Sequence, residues 1–500
     1  MLYFVDIGML TAAPFGIEKA QIRRQRFLED LSIPYRYVVL DYNPNVEQLS
    51  SYRDSGYHME NVQLLWQAFT DLTNEDLTYS YRLSDFLADL GEEPQEVRKL
   101  NDRELVYKMT DGTTYLCLLM TDGQTIFLVK YYCENSLKEV RYYFKQKYLT
   151  VGYSNEESRG VCYSEPIYHH YHNRDGSVGL EMQFLKNDYP VFRLQGNRLT
   201  FSELLERYFE LQQITEEDTI VIERIEERLG DFIKKDKKAK LGYYLHEDHI
   251  KFGYDGKCHP HIHRNLSWVG DGIDFILSTA VGQPEDLRNY IKEHFQRDVR
   301  VYLVPVMHVD QRNLQPSNRK NNSFLSVSNL TEGKCIDDSI EAVVLARKEV
   351  PDLTYDIYGD GKMWEKLSTL IAEHGAEGYI RLKGYNPRMD SCYDQYEAYL
   401  ASSKTEAFAT TLIEAMNHGV ALLARDIPYA HQAYVDDGEN GLLVGVENYV
   451  SQLATAIVRY CQQEDKEAMS RAAYQKSLNL FSYERVREAW ECFVKQEHIR

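Results

Sequence analysis

Five hundred residues with a formal net charge of −20 exceed one ordinary hydrophobic core, so the sequence predicts two large lobes and an insertion. A 43 % apolar share beside 27 % charged residues supports burial and excludes wholesale disorder. The acidic balance and the lack of a basic stripe argue against a nucleic-acid partner; the one basic run, Lys234–Lys240, is short and follows an acidic helix.

The chain opens with a predicted strand Leu2–Ile7, a loop ending in Pro14-Phe15-Gly16, a helix Ile17–Leu31 and a strand Tyr35–Leu40. This is a β-α-β unit, the start of a doubly wound sheet. The segment MLYFVDIGML contains Asp6 and lacks a basic n-region, so it reads as a buried strand and not a leader. From Tyr79 to Arg198, Tyr- and Phe-rich runs alternate with polar or Gly turns, among them Asp111-Gly112 and Asp122-Gly123, which predicts an antiparallel β-rich insertion. The first lobe resumes with a helix Phe201–Leu211 and strands Thr219–Glu223, Leu241–His246, Ile273–Ser278 and Arg300–Pro305, with a helix Pro284–Phe295 among them. The polar stretch Asp310–Asn322 is the predicted boundary.

The second lobe reads as strand Phe324–Val327, helix Ile336–Lys348, strand Thr354–Tyr358, helix Lys362–His374 and strand Tyr379–Lys383. A helix Cys392–Tyr399, a strand Val420–Ala424 and helices Asn448–Gln463, Lys466–Leu480 and Tyr483–Lys495 follow. The expected division is 1–78 (first lobe), 79–198 (insertion), 199–309 (first lobe resumed), 310–480 (second lobe) and 481–500 (C-terminal crossover helix). Two facing Rossmann-like lobes leave a cleft at the C-terminal ends of their strands. Eight scattered cysteines without a Cys-x-x-Cys pair, and no apolar run of about 18 residues, predict a reducing, cytoplasmic location, at most peripheral at the inner face of the membrane.

Three strand-to-helix turns of the second lobe carry candidate chemistry. In Phe324–Lys334 (FLSVSNLTEGK) a strand runs into a polar loop, and Lys334 stands at a helix start, where its charge adds to the helix N-terminus and suits a diphosphate. Tyr379–Tyr385 ends a strand in Lys383-Gly384, and glycine there admits a flat ring. Glu406 and Glu414 stand eight positions apart across a loop-to-helix junction, with Thr410 or Thr411 as the expected N-cap. Singly, each reads as well as a solvated lysine, an ordinary turn or a helix with acidic first residues. Turns at one sheet edge converge, and that gives the set its weight.

On the Glu-x7-Glu element and the upstream Lys, the chain resembles the retaining family 4 glycosyltransferases of the GT-B fold. The similarity extends to the subgroup of O-GlcNAc transferases that glycosylate serine-rich-repeat adhesins of accessory secretion systems, with teichoic-acid α-GlcNAc transferases nearby. It is carried by Gly16–Gln21 (GIEKAQ), Tyr168–Gly179, Leu241–His249 (LGYYLHEDH), Asp356–Gly361, Ile380–Tyr385 and Glu406–Glu414.

The resemblance implies a GT-B fold in which Gly16, Ile17, Glu18 and Lys19 face the nucleotide diphosphate and His246 touches the donor sugar. Lys334 would neutralise the leaving phosphate, with Asn329 in the same loop. Lys383 and Gly384 would flank the base, Glu406, Ala407, Phe408 and Ala409 would hold the sugar, and Glu414 the ribose. It implies a UDP-sugar substrate, no cofactor and no metal, a Ser/Thr-rich protein acceptor, and a second glycosyltransferase-like subunit or another copy of the chain as partner. With no protein nucleophile evident beside Glu406, front-face displacement is the expected route.

Three positions depart from the family. Asn329 stands where Arg is usual, Glu406-Ala-Phe-Ala409 where Glu-Gly-Phe-Gly is usual, and Pro14-Phe15 where a second small residue is usual. They keep open a weakly active or inactive subunit that holds acceptor for an active partner. Teichoic acid is the other open acceptor. The histidines of His259-Pro-His261-Ile-His263, taken as alternating in a strand, lack an acidic or Cys partner at ligand spacing and read as a polar surface loop; Gly359-Asp-Gly361 reads as a tight turn.

Overall fold

The computed structural model describes residues 1–6, 16–40, 55–158, 161–186, 189–235, 237–250, 258–314 and 319–499. The predicted end of the first strand at Ile7 and the Pro14-Phe15 loop lie outside the described residues. Two compact units emerge, one of Met1–Phe15, Ile33–Leu241 and Arg500, the other of Gly16–Ser32 and Gly242–Ile499.

In the first unit, β1 (Leu2–Asp6) runs parallel to β2 (Tyr35–Val39), and β2 to β3 (Val62–Leu64). All five residues of β1 are buried, as a parallel strand covered on both faces requires. After a helix Leu83–Leu90, ten strands, β4–β13, form one antiparallel meander from Glu96 to Leu199 in which sequence neighbours are sheet neighbours. The Asp-Gly turns do what their chemistry predicts: Gly112 and Gly123 take φ of 89° and 67°, and Asp122 Oδ1 accepts the Gln124 and Thr125 amides at 3.0 and 2.8 Å. Trp66 anchors the meander, stacking on Tyr148 and Tyr171 with ring centroids 5.6 and 5.2 Å apart. The chain then returns through a helix Phe201–Leu211 to β14 (Thr219–Ile222), parallel to β1 on its other side.

The second unit contains most of β15 (Lys240–Leu245), with β16 (Phe275–Ser278) and β17 (Arg300–Leu303), all parallel. Its other sheet comprises β18 (Ser323–Val327), β19 (Thr354–Tyr358), β20 (Ile380–Gly384), β21 (Ala398–Ala401), β22 (Ala421–Arg425) and β23 (Gly441–Val444). These are parallel in the order β20-β19-β18-β21-β22-β23. Strand order reverses between β18 and β21, and the crevice of an open α/β sheet lies outside the carboxyl ends of the strands at such a switch point.

The C-terminal helix Tyr483–Gln496 packs on the helix Gly16–Asp30. The Phe27 and Tyr483 rings stack 5.0 Å apart, and Arg24 lies 5.6 Å from the ring centre of the buried Trp490. Beyond it, buried Glu497 accepts the Tyr302 hydroxyl at 2.5 Å and pairs with Arg300 at 3.0 Å.

Three local expectations are corrected. Cys392–Tyr399 is not a helix: two single 3₁₀ turns, Met389–Ser391 and Tyr393–Gln395, lead into β21. Alternation cannot reveal β21, a central strand buried throughout and built of Ala, Tyr and Leu, and tertiary pairing overrides the helix propensity of Ala and Leu. The histidines after Cys258 lie on a helix, Pro260–Leu266, with His259 as its N-cap and Pro260 at its first position, where a missing N–H costs nothing. The N-cap of the helix Thr410–Asn417 is Ala409, and neither threonine caps it.

Candidate active site

The switch point brings Lys334 and Glu406 together. Lys334 follows β18 and Glu406 follows β21, the two parallel central strands between which the strand order reverses. The first loop is pinned by backbone bonds from Ser328 N to Tyr358 O (3.1 Å) and Leu330 N to Asp360 O (2.8 Å). This approach accounts for Gly359, which has φ of 131°: a Cβ there would sit 1.8 Å from the Ser328 carbonyl oxygen. The Gly359-Asp-Gly361 turn thus packs against backbone.

Glu332–Lys334 forms a single 3₁₀ turn, Cys335 takes φ of 49°, and the helix Ile336–Ala346 begins. Further bonds hold the two loops: Lys404 N to Gly333 O at 3.0 Å and Ser402 Oγ to Lys334 O at 2.8 Å. Lys334 Nζ pairs with Glu406 Oε1, to which Ser403 Oγ also donates at 2.7 Å. Burial alone pushes the Glu406 carboxyl up. The Lys334 ammonium, with the Ser403 hydroxyl donating beside it, outweighs it and holds the carboxyl below its ordinary range.

The loop carrying Glu406 rests on a short helix, Ala430–Tyr434. Tyr434 donates its hydroxyl to Phe408 O at 2.5 Å, and Ala430 N lies 3.4 Å from Glu406 O. Phe408 turns its ring into the core 5.5 Å from Phe481, so only its backbone faces the loop, while Ala407 packs with Ala280 and Tyr429. Ala409 adopts φ 48° and ψ 66°, the left-handed region that disfavours a Cβ. Ala409→Gly removes about 1–2 kcal/mol of strain and returns about 0.5–1 kcal/mol of freedom to the unfolded chain. A net gain of about 0.5–1 kcal/mol is expected, read as a rise in the urea midpoint at unchanged slope.

Glu414, two-thirds along its helix, accepts the Tyr393 hydroxyl at 3.2 Å and faces Arg23 at 3.6 Å. Arg23 belongs to the helix Gly16–Asp30, so Gly16, Ile17, buried Glu18 and exposed Lys19 open the helix that reaches Glu414. Lys383 is exposed on β20, and Gly384, with φ of 74°, accepts the Gly359 amide at 2.9 Å. Asn329 is exposed in the Lys334 loop. His246, half-buried after β15, lies against the Tyr244 ring at 4.3 Å.

Sequence reasoning missed a group beside this pair. Asp248, on the same loop as His246, accepts the Ile250 amide at 2.8 Å; burial, with Asp286 and Glu406 adding to it, raises its carboxyl to about 6. Asp286 accepts the Tyr429 hydroxyl at 2.8 Å, and Tyr429 itself sits at φ 65°. His249 is buried between the rings of Tyr290 and Tyr429, both 5.9 Å away, and burial lowers it to about 4. The one available signal was the pair of acids between two histidines in LHEDH; the partners lie far apart in the chain. Among the described residues no three His, Cys, Asp or Glu side chains are grouped as metal ligands, and no helix is long and apolar enough to cross a membrane.

Residues 310–476 match the family of glycosyl transferases group 1. The UDP-N-acetylglucosamine–peptide N-acetylglucosaminyltransferase GtfA subunit of Streptococcus gordonii is 27 % identical over 99 % of this chain and 98 % of its own length. Over a shorter stretch, 33 % of the chain, the poly(ribitol-phosphate) alpha-N-acetylglucosaminyltransferase of Staphylococcus aureus is 26 % identical. Among solved structures, a GtfA/B complex superposes with a TM-score of 0.86 at 25 % identity, covering 99 % of both chains. The pneumococcal O-GlcNAc transferase GtfA superposes with a TM-score of 0.84 at 24 % identity over 100 % of this chain and 99 % of its own. From the full-length similarity, the parallel sheets and their antiparallel insertion, the chain has the GT-B fold, and its residues 310–476 are similar to the group 1 glycosyl transferases.

Proposed function

We propose that this chain transfers N-acetylglucosamine, or glucose, from a UDP-sugar to Ser/Thr hydroxyls of a bacterial surface protein, with retention at the anomeric carbon and without a metal. The observation that carries the reading is the meeting of Lys334 and Glu406 at the switch point. Lys334 turns from Glu406 to the diphosphate, and Glu406 is released to accept sugar hydroxyls. Glu414 takes the ribose, Gly16–Lys19 and Asn329 line the diphosphate, Lys383 and Gly384 flank the base, and His246 and the backbone of Ala407–Ala409 contact the sugar. The bond between C1 and the phosphate oxygen breaks as the acceptor oxygen attacks the same face. The acceptor proton passes to the departing phosphate, whose charge Lys334 and nearby N–H groups stabilise.

The antiparallel insertion supplies a surface for acceptor or for a second glycosyltransferase-like subunit, and full-length similarity to a chain of a GtfA/B complex supports that partner. We place the reaction in the cytoplasm, where UDP-sugars are made, with its product destined for an accessory secretion route; the described cysteines, all free thiols, suit that setting. A stabilising subunit with little turnover of its own is the second reading, favoured by the strained Ala409 and by Asn329 where a cation is usual. A teichoic-acid acceptor has support from the shorter relative, but a chain of net charge −20 repels a polyanion.

The test is transfer from UDP-GlcNAc and UDP-glucose to a Ser/Thr-rich polypeptide and to poly(ribitol-phosphate), by the chain alone and with a co-expressed partner, each with and without EDTA. Transfer to the polypeptide, unchanged by EDTA, is expected. Turnover only with the partner selects the second reading, and absence of both transfer and UDP-sugar hydrolysis in every arm overturns the proposal.

A further inference from the structure

A buried histidine beneath Glu406 has no part in the scheme above. His431 is 0 % exposed, in the short helix that supports the sugar loop. Its Nδ1 lies 2.7 Å from the Arg425 carbonyl oxygen. A carbonyl only accepts, so Nδ1 carries hydrogen in either protonation state. Nε2 alone distinguishes the neutral ring from the cation, and it is buried without a hydrogen-bond partner among the described residues. A bare nitrogen lone pair left unbonded beneath a partly buried carboxylate is costly, and marks a place where something changes on binding.

The charged groups that face His431 are Glu406 and Lys334, from the two switch-point loops, and Arg425, at the end of β22. Arg425 is already matched: it pairs with Asp338 at 2.5 Å, donates to Ser402 O at 2.9 Å and lies 3.5 Å over the Tyr449 ring. Lys334 is matched by Glu406 only while no anion competes. If the diphosphate draws Lys334 away, Glu406 keeps a full charge in a site of low dielectric, where an uncompensated carboxylate is strongly disfavoured.

We propose that His431 is a positioning residue that takes up a proton as the nucleotide sugar binds, replacing Lys334 as the counter-charge that keeps Glu406 ionised and in register with the sugar hydroxyls. In the free protein burial holds the imidazole neutral, with Lys334 and Arg425 acting in the same direction and Glu406 opposing. Moving Lys334 toward a dianionic diphosphate removes one opposing charge and leaves the attraction, so protonation becomes easier in the bound state. The sign follows: affinity rises as pH falls through the bound-state pKa and levels off below the free-state value. The inference rests on the reading of Lys334 as the diphosphate ligand.

The experiment is calorimetric titration of the full chain with UDP-GlcNAc, whose pyrophosphate diester does not titrate near neutrality, in phosphate and in Tris between pH 6 and 8. Uptake approaching one proton is expected, with affinity changing by up to about tenfold per pH unit. His431→Asn, whose amide can still donate to the Arg425 carbonyl, is expected to bind with buffer-independent heat and a flat pH profile; His431→Gln is the second variant should the first not fold. An Asp248→Asn control should retain the uptake. Buffer-independent heat in the wild type overturns the proposal, as does uptake that survives in the His431 variants or disappears in the control. Failure to bind UDP-GlcNAc at all overturns it differently, by removing the donor site on which it rests.

Discussion

Lys334→Ala is expected to lower kcat/KM for sugar transfer by about 10²–10³-fold, the range for losing one preorganised group that stabilises transition-state charge. Two effects contribute. The departing phosphate loses its cation, in a loop where Asn329 supplies no second one. Glu406 meanwhile loses its resident counter-ion; among the described residues Ser403 still donates to its carboxylate, and burial, which pushes the carboxyl up, weakens it as an acceptor of sugar hydroxyls to the extent that His431 does not take over the counter-charge. The same substitution should destabilise the fold by about 1–3 kcal/mol, less than for a fully buried pair, because the Lys334 and Glu406 side chains are 28 % and 16 % exposed. The double variant Lys334→Ala/Glu406→Gln separates the effects: stability should return while transfer stays lost. Urea unfolding and initial rates read the two quantities. A Lys334→Ala enzyme within tenfold of wild type would end the assignment of Lys334 to the leaving group.

The parts of the site that could be read from the sequence are those fixed by chain order. Lys334 follows a strand the sequence shows, Phe324–Val327, whereas β21 ahead of Glu406 reads as a helix, so Glu406 was legible only through the loop-to-helix junction and its spacing to Glu414. The opposite wall was not legible, because Asp248, Asp286 and Tyr429 meet across 38 to 181 positions and no local period links them. Ala409 shows a different failure. A threonine next to a helix start is a reasonable cap, but Tyr434 and Ala430 grip the preceding loop and force the left-handed residue one position earlier. For the helix Pro260–Leu266 the signal was present in Pro260, a first-turn proline, and the neighbouring histidines drew the reading toward a strand. β23 was announced by Asn440-Gly441 ahead of an apolar run, too short to outweigh its polar surroundings.

Asp248→Asn is expected to stabilise the protein by about 1–3 kcal/mol at pH 8 and to leave its stability unchanged near pH 4. The carboxyl is raised from 3.8 to about 6, first by burial and then by Asp286 and Glu406, against the Ile250 amide that favours its ionised form. At about 1.4 kcal/mol per pH unit, a displacement of roughly 2 units corresponds to about 3 kcal/mol, and the partial exposure of the side chain trims it. The native state binds the proton more tightly than the unfolded chain, so stability falls as pH rises from about 4 to 6 and stays lower above. An asparagine carbonyl can still accept from Ile250 and carries no charge to desolvate, so the variant should escape this fall. Urea unfolding at pH 4, 6 and 8 reads it; equal stabilities at pH 8, or a gain that ignores pH, would show that the acid is not held in an unfavourable ionisation. A half-buried carboxylate kept within reach of the charges of Asp286 and Glu406 is the kind of local conflict that persists where function needs it. Transfer activity should therefore fall in the variant that gains stability, and a substitution that merely relieved packing would not link the two in opposite directions.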